Sequence, residues 1–152
     1  MRSPQRHDWR SFQQLSTSEL YQLLRLRCQV FVVEQQCAYQ DVDGNDERAD
    51  HLLAWNADDR LCGYLRAFAP GKTDAVARIG RVVTAPAHRG TGLGHWLMEE
   101  ALRYIAQRYG SAEVELSAQA YLERFYGKFG FVRSSGNYLE DGIPHCDMRR
   151  SI

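Results

Sequence analysis

The chain has 152 residues, 44% of them hydrophobic and 25% charged, which suits one domain spanning 1–152 that buries about two-thirds of its unfolded surface. Nineteen basic and nineteen acidic residues cancel, so no broad electropositive face for nucleic acid is implied, and no stretch of ~18 apolar residues is present to span a bilayer. Cys28, Cys37, Cys62 and Cys146 show no C-x-x-C pairing and the N-terminus has no apolar signal core, so free thiols in a cytoplasmic protein are expected.

Trp9 and Phe12 within residues 8–14 suggest a first short strand. Ser16-Thr17-Ser18-Glu19 is a capping-box pattern, in which a hydroxyl accepts from an early amide while Glu19 reaches back. It opens a helix with Leu20, Leu23, Leu24 and Cys28 on one side, after which the apolar run Val30 to Val33 stops at Glu34. Asp41, Asp43, Asp46, Glu47 and Asp50 then crowd around Gly44. An EF-hand register fails, because its glycine should follow the first aspartate by five residues and here follows by three. A solvated loop bordering a site is expected instead. Residues 51–56 and 61–68 read as a hairpin over an Asn56 to Arg60 turn, and residues 76–84, rich in β-branched side chains, as the next strand. Leu93, Leu97, Ala101, Leu102 and Ile105 recur at helical spacing up to Gly110. A strand at 113–118, a short helix at 121–129, and strands at 131–135 and 145–150 complete the order. Hairpins first and crossover helices later predict an α/β mixed fold. Its mostly antiparallel twisted sheet would have about six or seven strands, flanked by about four helices.

The most informative segment is His88-Arg89-Gly90-Thr91-Gly92-Leu93-Gly94, set between a strand and a helix start. Unpaired amides at a helix N-terminus and the helix dipole favour an anion there, and glycines let a phosphate approach the backbone. Arg89 adds a permanent cation. Three loops compete for the pyrophosphate. A P-loop reading of Gly71-Lys72-Thr73 fails, since position 66 is Arg66 and a strand follows. A dinucleotide fingerprint fails on glycine spacing, although Glu113 and Glu115 stand near the distance of its ribose acid.

The third loop, Arg/Gln-x-x-Gly-x-Gly/Ala, is met by Arg89 to Gly94, and here the chain resembles the GNAT superfamily of N-acetyltransferases. Phe125-Tyr126-Gly127-Lys128-Phe129-Gly130-Phe131 resembles the family's aromatic-Tyr-x-x-x-Gly-Phe segment, and Val82-Val83-Thr84-Ala85-Pro86 its strand end before the loop. The likeness runs from Leu15 to Met148. Val30 to Gln35 and Gly142 to His145 narrow it to an ElaA-like subgroup.

This resemblance implies acetyl-coenzyme A (acetyl-CoA) as cosubstrate and direct transfer of its acetyl group to a primary amine, with no metal. The turn amides of Arg89, Gly90, Thr91, Gly92, Leu93, Gly94 and His95 would take the pyrophosphate. The backbone of Val82, Val83 and Thr84 would pair with the pantetheine arm, and the Val83 amide would polarise the thioester carbonyl. Gln119 stands where many members carry an asparagine near the cofactor. Tyr126 would protonate the leaving thiolate, a phenol at ~10 being close enough to a thiol at ~8.5. Glu34 leads as the amine's base, on the expectation that partial burial raises its pKa, with His145 and His51 as rivals. His88 and His95 are expected on the loop's surface. Apart from the resemblance, the acidic stretch 41–50 fits steering of a cationic acceptor and a plain solvated loop equally. Monomer and homodimer both stay open, and the rival reading is a sensor that binds acyl-CoA without turnover.

Overall fold

The computed structural model describes residues 3–72, 74–110 and 113–151; Thr73 of the rejected phosphate loop lies outside them. Strand β1 (Arg6–Ser11) is followed by helix α1 (Thr17–Arg27), which carries on as a wider π-helical segment from Cys28 to Glu34. Then come β2 (Asp50–Trp55), β3 (Leu61–Phe68), β4 (Val76–Thr84), α2 (Leu93–Tyr104), β5 (Glu113–Gln119) and α3 (Glu123–Gly127). The short strands β6 (Val132–Arg133) and β7 (Tyr138–Glu140) precede β8 (Ile143–Ser151).

The capping box at Ser16 forms as read: its hydroxyl accepts from the Glu19 amide at 3.0 Å, and Glu19 accepts from the Ser16 amide at 2.8 Å. The apolar stripe of α1 holds for Leu20, Leu23 and Leu24, which share one core cluster, and fails at Cys28. Leu23, Leu26 and Val30 are buried, Arg27 is fully buried beside them, and Cys28 faces solvent. The run 30–33 is the extension of the helix. Its wider turn sets Val30 inward and leaves Glu34 at the end, in the open.

One eight-stranded sheet runs β1-β2-β3-β4-β5-β8-β6, with β7 also pairing β8. The expected count of six or seven falls short because β7 lies inside the turn-rich stretch 136–144, too brief for periodicity to show. All pairs are antiparallel except β4 with β5. Alternation along β2 sends Leu53 and Trp55 to the α1 face, with Tyr64 and Val83, and Leu52 and Ala54 to the α2 face. On the latter, α2 buries Leu93, Leu97, Met98 and Ala101. Gly63 lets that helix settle on the sheet, since a Cβ there would lie 3.2 Å from methyls of both Leu93 and Leu97.

The feature that positions a site is the β4–β5 seam. Among the described residues these strands pair at three rungs, Val76 with Glu113, Ala77 with Val114 and Arg78 with Glu115. Beyond Arg78, β4 bends away. Its register against β3 slips between Tyr64 and Arg66, and Arg81 takes a left-handed φ of 54° in the bulge. The remaining halves of β4 and β5 splay apart.

Candidate active site

A cleft of about 790 Å³ fills the splay, walled by Ile79 to Thr84 on one side and by Leu116, Ser117 and Gln119 on the other. At its end lies the N-terminus of α2. Gly90 and Gly92 both take left-handed φ, 76° and 87°, which side chains with a Cβ resist. Gly92 is the N-cap and offers no side-chain acceptor. The first helical bond runs from the Trp96 amide to the Gly92 carbonyl at 3.1 Å, so the amides of Leu93, Gly94 and His95 have no acceptor within the helix. The Thr91 hydroxyl donates to the His88 carbonyl at 2.6 Å and pins the turn. Gly94 fits its packing, with a would-be Cβ at 3.6 Å from Phe125 and 3.9 Å from Thr84. The N-terminus of α2 is therefore uncapped, preceded by left-handed glycines, and close to Thr84 at the end of β4.

The open edge of β4 corrects one assignment. The Ala85 amide donates to the Cys62 carbonyl across β3 at 2.8 Å. Amides two apart in a strand point the same way, so Val83, in register with Tyr64, also turns its amide toward β3. The amides that face the splay are those of Val82 and Thr84. Val83 itself is buried on the α1 face and does not offer its N–H to a thioester.

Tyr126 lines the cleft, with only 7% of its surface exposed. Burial, helped by Tyr121, pushes its phenol up to about 12. No hydrogen bond among the described residues engages this hydroxyl, which stays protonated as a donor. Phe125 and Phe131 pack edge-on against it, and Phe125 also meets Phe129.

The three candidate bases separate. His51 is fully buried away from the cleft, its Nε2 donating to the Asp46 carbonyl at 2.9 Å and its Nδ1 accepting from Tyr64 at 2.6 Å. Burial lowers its pKa, so it is a neutral scaffold residue. Glu34 lines the cleft but its side chain is 41% exposed and ion-paired to Arg89 at 2.6 Å. It is half-exposed, and its carboxylate is engaged by a guanidinium. His145 lines the cleft with a side chain 12% exposed. Its Nδ1 lies 2.7 Å from the Ile143 carbonyl, which can only accept, so Nδ1 carries the hydrogen and Nε2 keeps the lone pair. Glu140 stands 3.6 Å from that nitrogen.

The remaining loop residues fall in place around these. His88 and His95 are half-buried; His95 pairs with Glu99 at 2.9 Å and packs on Phe129. Gln119 lines the cleft and donates to the Gln35 side chain at 3.2 Å.

The acidic stretch 41–50 departs most from its reading. Asp41 pairs with Arg27 and Arg81, both at 2.9 Å, and Asp46 with Arg27 at 2.6 Å and Arg66 at 2.9 Å. Asp43 meets Arg66 at 2.7 Å, and the Tyr39 hydroxyl donates to Asp41 at 2.6 Å. Hydrogen bonds from Arg66 hold the Asp43 carboxyl well below its usual range; burial would raise Asp46, but Arg27 and Arg66 hold it low too. These carboxylates are neutralised rather than free to steer a cation. They tie the loop to the β4 bulge through Arg81, and so place Tyr39 and Gln40 on the cleft wall. Tyr39, Arg81, Ser117, Tyr121 and Glu140 were not anticipated there. Only Ser117 had a legible signal, since Glu115, Ser117 and Gln119 form the polar alternation of a strand buried on one face.

A splayed parallel seam, a left-handed glycine turn and an uncapped helix N-terminus together define an acyl-CoA N-acyltransferase fold. A family model for the acetyltransferase (GNAT) domain matches residues 15–152. The chain belongs to this family, in its ElaA-like branch. It is 44% identical over 141 residues to Protein ElaA of Escherichia coli (strain K12), covering 91% of this chain and 92% of the relative. Its backbone superposes on a solved acyl-CoA N-acyltransferase from Pseudomonas aeruginosa with a TM-score of 0.90 and 48% identity, covering 95% and 98% of the two chains. The crystal structure of Escherichia coli ElaA superposes with a TM-score of 0.86 and 41% identity, covering 95% and 99%.

Proposed function

We propose that this protein transfers the acetyl group of acetyl-CoA directly to a primary amine within a ternary complex. The observation that carries this reading is the uncapped α2 N-terminus, with Gly90 and Gly92 left-handed, opening at the end of the splay between β4 and β5. The amides of Leu93, Gly94 and His95, with Arg89, suit a pyrophosphate. The outward edge at Val82 and Thr84 suits an extended pantetheine arm, paired as an added strand.

The amine nitrogen attacks the thioester carbonyl carbon while the Val82 amide donates to the oxygen on which charge develops. The carbon–sulfur bond then breaks, and the Tyr126 hydroxyl donates its proton to the departing thiolate. His145 Nε2, the available lone pair in the cleft, takes the proton that the ammonium or the tetrahedral adduct must lose. It displaces Glu34 as the preferred base because its acceptor nitrogen faces Glu140 only at 3.6 Å, while Glu34 is held by Arg89 at 2.6 Å.

The test is a panel of primary amines supplied with acetyl-CoA, followed by thiol release. Amine-dependent release with at least one acceptor is expected. Thermal stabilisation by coenzyme A (CoA) with no turnover across small amines, peptides and lysine-bearing proteins would favour the sensor instead.

A further inference from the structure

Arg89 and Glu34 each sit where the local field disfavours them. Arg89 stands beside the N-terminus of α2, which already carries about half a positive charge. Glu34 is the last residue of the continuous helical segment that begins at Thr17, where terminal carbonyls gather negative charge. The two side chains solve this by pairing with each other across the cleft mouth, Nη2 to Oε1 at 2.6 Å. Both line the cleft. Arg89 therefore already holds an anion, and that anion belongs to the protein.

We infer that Glu34 is a built-in competitor for the cofactor's pyrophosphate, a positioning residue that sets Arg89 and speeds cofactor exchange rather than a base. This rests on the proposed acetyl-CoA site. An incoming pyrophosphate brings stronger anionic acceptors to the same guanidinium and must displace the Glu34 carboxylate from it. As CoA begins to leave, Glu34 retakes Arg89 before the pyrophosphate is clear of the site, which speeds dissociation and disfavours rebinding. The chemistry of the exchange is a swap of one anion for another on a fixed cation, with no bond made or broken. Its energy is that of a half-exposed ion pair, so its effect on affinity is a small factor that salt removes.

The experiment is a double-mutant cycle on CoA binding by calorimetry, with dissociation rates by stopped flow. Glu34→Gln is expected to tighten CoA by about two- to fivefold at low salt, mostly through slower dissociation, and to match the wild type at high salt. Arg89→Gln should weaken CoA, and in that background Glu34→Gln should have almost no further effect, since the competition passes through Arg89. Unchanged or weaker binding by Glu34→Gln would overturn the inference. So would equal tightening with and without Arg89, which would make Glu34 a general repulsive charge. If the wild type fails to bind CoA at all, the cofactor reading itself falls and the competitor with it.

Discussion

At the scale of single residues, the proposed chemistry rests on two side chains in the cleft. Tyr126→Phe removes one hydroxyl from a packed aromatic group and leaves its contacts with Phe125 and Phe131 in place. Turnover should fall by about 10² to 10⁴, with CoA affinity by calorimetry nearly unchanged. Full activity would return Tyr126 to a packing role. His145→Gln should lower kcat and abolish the acid limb of the rate profile, the limb along which a base loses its lone pair as pH falls. A second acceptor of different amine pKa separates that limb from the amine's own titration, and a retained limb would remove His145 from the proton path. Tyr126 was legible in the sequence because its spacing to Gly130 and Phe131 is a motif. The partition among Glu34, His51 and His145 was not. It depends on which of them a fold places beside Arg89, Tyr64 or Ile143, contacts separated by up to 55 positions along the chain.

Among the elements, the glycine turn and the helix after it were the clearest from sequence, since φ and helix capping are local properties. Gly92→Val should remove most of the thermal stabilisation that CoA confers. That stabilisation is about 2.7 kcal/mol at a ligand level 100-fold above the dissociation constant. A branched side chain resists the left-handed φ and fills phosphate space, while the apo fold persists because the turn lies at the surface. Stabilisation equal to the wild type would show that the phosphates bind elsewhere. The π-helical extension through Glu34 escaped notice because Val30 to Val33 reads as a strand-like apolar run. The splay was legible only through the family resemblance, which implies a mixed sheet splayed near the cofactor. Parallel pairing of β4 with β5 spans a helix, and nothing local marks Arg78 as the last paired rung. The bulge that opens it uses Arg81 at positive φ, where composition would lead one to look for glycine.

For the molecule as a whole, a network of Arg27, Arg66 and Arg81 with Asp41, Asp43 and Asp46 joins α1, β3 and β4 to the loop that walls the cleft. The charges along the chain sum to zero, a total that does not reveal that these six neutralise one another. His51 lies against this network, and burial lowers its pKa in the folded state below the ~6.5 of an unfolded histidine. The unfolded chain therefore binds more protons in that window. Stability is fully present above about pH 6.5 and declines as pH falls toward the folded-state value. Asp43 and Asp46, held low by arginines, withdraw further stability only below about pH 4, as the unfolded carboxylates protonate. Urea midpoints between pH 7.5 and 5.5 should fall in the wild type and fall less in His51→Gln, whatever the variant's absolute stability. Parallel slopes would mean that His51 charges in both states.

The central claim is direct transfer across the cleft, without an acetylated protein. It is tested most directly by mixing purified protein with acetyl-CoA, with and without an accepted amine, and recording thiol release beside the intact protein mass. The account predicts an unmodified mass in both samples and thiol release only when the amine is present. A protein mass raised by one acetyl group that a later pulse of amine discharges would contradict it, and would place a covalent intermediate where none is assigned.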